Sequence, residues 1–228
     1  MKKSIILLLL FIVSNVLFAR NYLIEQDKNG FNFEMATSKY YSNYMIRSSL
    51  GYTLNGRFTL NANFSNVCFI QSDSDLYTSS GADLSYLILK QKQGKTPLNL
   101  SLNTSYDFSI HNYDMSHDNF ILSKSHIIGI ETMVSRKFIF DKNLSMIPSA
   151  GIKFANENIS YLHLPEDGYF VGPMPTSINL IIYSLQGEFV FKNIYAFCKV
   201  DFVANATWDS LFSLYYNTTH LGLGVIIP

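Results

Sequence analysis

Between Leu98 and Ile110 the chain alternates strictly. Leu98, Leu100, Leu102, Thr104, Tyr106, Phe108 and Ile110 share one parity; Asn99, Ser101, Asn103, Ser105, Asp107 and Ser109 share the other. A period of two predicts a β-strand with one face in an apolar medium and the other in a wet one. The thirteen residues from Leu98 to Ile110 exceed the about 5–6 of an ordinary strand. At roughly 3.3 Å per residue and a tilt near 45°, they reach across a bilayer core.

The same pattern recurs along the chain. It predicts strands over Gly30–Thr37, Tyr44–Leu54, Arg57–Val67, Gly81–Lys90, Leu98–Ile110, Ser125–Phe138, Leu144–Phe154, Ile178–Phe191, Ile194–Val203 and His220–Ile227. In the fourth, Ala82, Leu84, Tyr86 and Ile88 oppose Asp83, Ser85, Leu87 and Leu89. Pro148 is the weak point of the seventh, because it cannot donate to a ladder. Asn55-Gly56 joins the second and third strands and demands positive φ at both positions of a type I′ turn.

Connections after the second, fourth, sixth and eighth strands are short: Asn55-Gly56, Gln91–Pro97, Phe140–Asn143 and Lys192-Asn193. Those after the third, fifth, seventh and ninth read as long loops, including Gln71–Ser80, His111–Asn119 and Asn156–Thr176. Short turns at one end and long loops at the other are the rule of a membrane barrel, and an even strand number lets it close. The expected fold is all-β: a closed up-and-down antiparallel transmembrane β-barrel of about ten strands, with eight or twelve as alternatives.

Composition narrows the setting. Charged residues are 15% of the 228 positions, against about 25% in soluble domains. Aromatics are also 15%, and the net charge is zero, so no nucleic-acid partner is expected. Lys2 and Lys3, the apolar run Ile5–Val13 and a small residue at Ala19 read as an export signal cleaved after residue 19. Residues 20–228 then form a single barrel domain. Cys68 and Cys198 do not make a disulfide framework. The Asn-x-Ser/Thr triplets at Asn63, Asn103 and Asn217 read as chance in an Asn- and Ser-rich chain.

With its signal sequence and the units Leu50–Phe58, Ile147–Phe154 and Leu221–Val225, the mature chain resembles the bacterial outer-membrane β-barrel proteins. The resemblance implies an outer-membrane location, contact with outer-membrane lipid and handling by the barrel insertion machinery. The terminal Ile227-Pro228 departs from the aromatic residue that usually ends such barrels.

Lumen-parity positions carry Glu34, Arg47, Asp83, Asp107, Glu131, Lys153, Glu188, Lys199 and Asp201. They read either as the lining of an ion-selective pore or as a paired network that fills the lumen. A ten-stranded barrel is only slightly wider than the eight-stranded size that side chains can fill, and isolated buried charges are costly. Both points favour the filled lumen, with Asp107 near the outer mouth. The loop holding His111, Asp114, His117 and Asp118 has the residue types for a water-activating pair or a metal site. Without a second shell it reads as a solvated loop. The aromatic-rich segments Tyr161–Pro175 and Trp208–Tyr216 suit an outer girdle or a surface for an external ligand. No catalytic residue, metal or cofactor is assigned. The expected role is structural or surface-interacting, the alternatives being a narrow porin-like channel, an outer-membrane enzyme or a secreted β-sandwich.

Overall fold

Asn55 and Gly56 adopt φ of 53° and 57°, as a type I′ turn requires. The hairpin they close sets Leu54 opposite Phe58 and Thr53 opposite Thr59. From this unit the sheet grows by adding each next strand in antiparallel order. The computed structural model describes residues 28–40, 43–68, 76–92, 97–116, 119–164, 171–204 and 218–227. The expected signal segment 1–19, the Trp208–Tyr216 segment and Pro228 lie outside these residues.

Among the described residues there are β1 (Gly30–Tyr40), β2 (Asn43–Leu54), β3 (Phe58–Cys68), β4 (Leu76–Leu89), β5 (Asn99–Ser116), β6 (Asn119–Ser135), a two-residue β7 (Phe138–Ile139), β8 (Leu144–Leu164), β9 (Val171–Phe191), β10 (Ile194–Val203) and β11 (Thr218–Ile227). Neighbours in sequence pair antiparallel. The sheet closes where β1 meets β11, with Phe31 opposite Ile227 and Thr37 opposite Leu221. Ten long strands therefore make a closed up-and-down barrel without free lateral edges across the apolar belt, which rules out a two-sheet sandwich.

β7 continues β6 rather than adding a strand. Ser135 opposes Ser149 and Phe138 opposes Met146, so both pairs obey one register. The interruption at Arg136 and Lys137 stands opposite Pro148 and Ile147. Pro148 still accepts from the Arg136 N–H at 3.1 Å but has no N–H to return. On its other side, the β5–β6 register carried two residues onward sets Lys137 against Pro97. There the Gln91 side chain takes the missing strand's place. Its Oε1 accepts from the Lys137 N–H at 2.7 Å and its Nε2 donates to the Lys137 carbonyl at 3.1 Å.

The burial pattern is inverted relative to a soluble protein. Among the described residues 22 polar or charged side chains are buried against 13 hydrophobic ones, while 33 large hydrophobics are exposed. Such a surface needs an apolar solvent. On β8 the outward apolar run extends from Leu144 to Phe154, after which Asn156, Asn158 and Ser160 face outward. Eleven residues from Leu144 to Phe154, at roughly 3.3 Å each and a tilt near 40°, give a belt about 25 Å tall. Phe31, Tyr52, Phe58, Tyr86, Phe189 and Phe191 are exposed around its short-turn border, and Phe31 lies 4.8 Å from Tyr52 between ring centroids.

Three expectations are corrected. The described residues of the expected loops Gln71–Ser80, His111–Asn119 and Asn156–Thr176 are strand: β4 begins at Leu76, β5 runs to Ser116, β6 starts at Asn119, and β8 and β9 are 21 residues each. The ladder persists above the belt, but no apolar medium flanks it there, so the alternation that marks a strand in sequence fades. Only two residues separate β5 from β6; the asymmetry of the two barrel ends resides in strand length as well as in loops. Finally, a bulge shifts the register between Leu87 and Leu89. One extra residue flips parity, so Leu87 is fully buried while Leu89, expected on the same face, is 49% exposed.

Candidate functional site: the barrel lumen

The lumen is built asymmetrically. β2 to β5 contribute small polar residues such as Ser49, Asn61, Ser85, Ser101 and Ser105, whereas β6, β8, β9 and β10 contribute Met133, Ile147, Gln186, Tyr195 and Phe197. Between the two walls remains a cavity of about 150 Å³, lined from both sides, by Asn61, Ser85 and Ser105 on one and by Met133, Gln186 and Phe197 on the other. At roughly 15 Å³ of accessible volume per molecule, it has room for about ten waters.

Seven of the nine expected lumen charges line this cavity: Arg47, Asp83, Asp107, Glu131, Lys153, Lys199 and Asp201. They form two clusters on opposite walls. On the β2–β5 wall the Arg47 guanidinium lies 3.8 Å from both Asp83 and Asp107. Asn63 Nδ2 donates to Asp83 at 2.5 Å. On the β9–β11 wall Lys199 Nζ is 3.2 Å from Asp201, and His220 Nε2 is 3.5 Å from it. Ser184 donates to the same carboxylate at 2.5 Å. Between them stand Glu131 and Lys153, cross-strand partners. Glu131 accepts from Asn103 at 3.1 Å, and Asn103 accepts from Ser85 at 2.5 Å. Pairing of this kind offsets the desolvation of each charge.

Two glycines make the packing possible. A Cβ at Gly81 would strike the Asp107 carboxylate, and one at Gly129 would strike the Lys153 side chain. Asp107 is not near the outer mouth as expected: β5 continues nine residues beyond it, to Ser116, and the side chain belongs to the Arg47 cluster.

Glu34 and Glu188 do not join the cavity. They are 1% and 0% exposed and sit nearer the short turns. Tyr195 donates to Glu34 at 2.9 Å and Gln186 donates to Glu188 at 2.6 Å. Around them Leu87, Ile147, Val190, Tyr195, Phe197 and Ile226 form one buried apolar cluster with Ala36. Tyr195 opposes Gly224, which in turn opposes Glu34. The tyrosine ring lies over Gly224, where a Cβ would collide with it, and so reaches the second strand away. A second apolar cluster of Ala155, Leu180 and Ile182, with Ile127, Ile178 and Val203 packed against it, lies nearer the long-loop end. The charged cavity therefore sits between two apolar layers.

Sequence reasoning missed these layers and His220. A signal was present: Leu87, Ile147, Tyr195 and Phe197 are large apolar or aromatic residues at lumen parity near short turns, and Ile178–Tyr183 is apolar on both parities except at Asn179.

The candidate site near His111 is only partly visible. His111 and Asp114 lie on β5, opposite Ser123 and Phe120, rather than on a loop, while His117 and Asp118 lie outside the described residues. No group of three or more potential metal ligands occurs among the described residues. Thr218, His220 and Asp201 do not form a nucleophilic triad. Both Thr218 Oγ1, at 2.8 Å, and Asp201 approach the same Nε2, whereas a relay uses the two ring nitrogens separately.

No family model matches the chain, and no curated protein matches it. Solved structures do. The translocator domain of the autotransporter NalP from Neisseria meningitidis superposes with a TM-score of 0.55 at 7% identity, over 88% of this chain and 87% of that one. The N-terminal β-barrel domain of Pseudomonas aeruginosa OprF gives 0.37 at 12% identity, over 89% and 98%. The KdgM porin gives 0.38 at 9% identity, over 87% and 98%. Closed antiparallel topology, an outward apolar belt and the likeness to the NalP translocator domain agree: the chain has the fold of the outer-membrane β-barrels.

Proposed function

We propose that the protein is a bacterial outer-membrane barrel with a closed lumen, serving a structural or surface-interaction role. Export by the segment 1–19 and insertion by the barrel machinery belong to this reading. The observation that carries it is the apolar layer at the short-turn end, where Leu87 and Ile147 are 0% exposed, Tyr195 1% and Phe197 5%. Ions meeting these apolar side chains would have to shed water, and the buried Glu34 and Glu188 carboxylates among them already accept from Tyr195 and Gln186. Above the belt, β5, β6, β8 and β9 rise as a wall: on β8 alone the ten residues from Ala155 to Leu164 add roughly 20–25 Å at the same tilt. That wall is the surface available to an external partner.

A narrow channel for small solutes is the second reading, favoured by the charged cavity of about 150 Å³. Planar-bilayer recording separates the two. The closed reading expects silence from the wild type and conductance from the double variant Leu87→Ala, Phe197→Ala, which removes bulk from the layer. Steady wild-type conductance that changes with Glu131→Gln would instead establish the channel.

A further inference from the structure

The outward face of β6, β8 and β9 changes chemistry at one level. Its belt ends at Ile128, Phe154 and Ile181, and directly above stand Lys124, His126, Asn156, Asn158, Ser177 and Asn179. The register makes these neighbours: His126 opposes Asn158, which opposes Ser177, and Asn156 opposes Asn179. The amides are already ordered. Asn156 Nδ2 donates to Ser177 at 3.0 Å and Asn179 at 2.9 Å, and Asn158 Nδ2 donates to Asn156 at 2.7 Å. The His126 ring is held by Tyr106, whose hydroxyl lies 2.8 Å from Nδ1, and by Phe108, 4.9 Å away between centroids. Nε2 has no partner among the described residues. The Lys124 ammonium is exposed and likewise unpaired among them.

No carboxylate faces outward among the described side chains at this level; Glu157 points inward and is 4% exposed. On the neighbouring strand Asp114 opposes Phe120, four residues from Lys124 along β6. A basic patch, with one Asn158 N–H left to donate beside it, is thus continuous with a lipid-facing belt and begins where hydrocarbon gives way to headgroups. Basic residues at that depth attract anionic headgroups.

We propose that Lys124 and His126, flanked by the Asn156–Asn158 amides, bind the phosphate of an outer-leaflet lipid headgroup. The inference rests on the belt being embedded in a bilayer and is independent of whether the lumen conducts. Two contacts differ in kind: Lys124 supplies the charge, and His126, oriented by Tyr106, supplies a directed donor.

Native mass spectrometry of the refolded barrel in mild detergent, titrated with lipid A, tests it. Retained heat-modifiable gel mobility certifies that each variant is folded. Lys124→Glu should weaken lipid A binding about tenfold and His126→Ala several-fold. Lys142→Glu, the same charge reversal on an exposed short turn at the opposite end, should leave binding unchanged. Phosphatidylcholine should bind all four proteins alike. Equal losses from Lys124→Glu and Lys142→Glu would reduce the effect to net charge and overturn the site. Displacement of lipid A by millimolar inorganic phosphate would reassign it to free phosphate. Should Lys124→Glu fail to fold, unchanged affinity in His126→Ala alone refutes the proposal.

Discussion

A charge placed at different depths on β5 measures the medium that covers it. Leu102 faces outward and is 38% exposed. It lies four residues from Leu98, at the short-turn border, and four from Tyr106, at the opposite border. Four residues at roughly 3.3 Å and a tilt near 40° amount to about 10 Å along the membrane normal on each side. Leu102 is therefore at the midplane of the belt. There an arginine on the lipid face costs about 2–4 kcal/mol, falling to about 0–1 kcal/mol near the interface. Leu102→Arg should lower the unfolding free energy in phosphatidylcholine vesicles by about 3 kcal/mol, a factor of about a hundred in the folding equilibrium. Leu98→Arg should lower it by less than about 1 kcal/mol. Denaturant titration read by heat-modifiable gel mobility supplies both values. Equal costs at the two positions would refute the membrane belt, and so would a Leu102→Arg variant as stable as the wild type. Asn103, its lumen-facing neighbour, is a poor neutral control, because it joins Ser85 to Glu131.

Two further perturbations probe the short-turn end. Gln91→Ala removes both hydrogen bonds that replace a strand at Lys137, and should cost about 1–3 kcal/mol in the same titration; a loss below 0.5 kcal/mol would mean that water satisfies Lys137 equally well. Gly224→Ala drives a methyl group into the Tyr195 ring and should cost more than Tyr195→Phe, which keeps the ring and forfeits the hydrogen bond to Glu34, about 1.5–3 kcal/mol. Combining Gly224→Ala with Tyr195→Ala should recover part of the loss through relief of the clash, and strict additivity in that double-mutant cycle would show that the two residues are not in contact.

Alternation was legible wherever lipid lay on one side and the lumen on the other. The parity of Leu102, Ile130, Phe154, Leu185 and Leu223 alone fixes their outward direction, since a one-residue slip would turn every charge into lipid. The same parity sets Arg47, Asp83, Asp107, Glu131, Lys153, Lys199 and Asp201 on the side from which they line the cavity. Parity could not reveal the upper parts of β5, β6, β8 and β9, because a ladder surrounded by water and neighbouring strands imposes no alternation. Nor could it see the bulge at Leu87 and Leu89, which inserts a residue without changing composition.

The sequence by itself determined the class of fold and which side of most strands meets lipid, because those follow from local period and turn chemistry; the pairing of β1 with β11 decided among eight, ten and twelve strands. Only the tertiary structure decided how the lumen is filled. Strands distant in sequence set the Arg47 cluster across from the Lys199 cluster, and the closure of β1 on β11 brings Tyr195 over Gly224 to Glu34. Whether Leu87, Ile147 and Phe197 block the lumen depends on their meeting across its diameter. That distance is a property of the closed barrel and of no single strand.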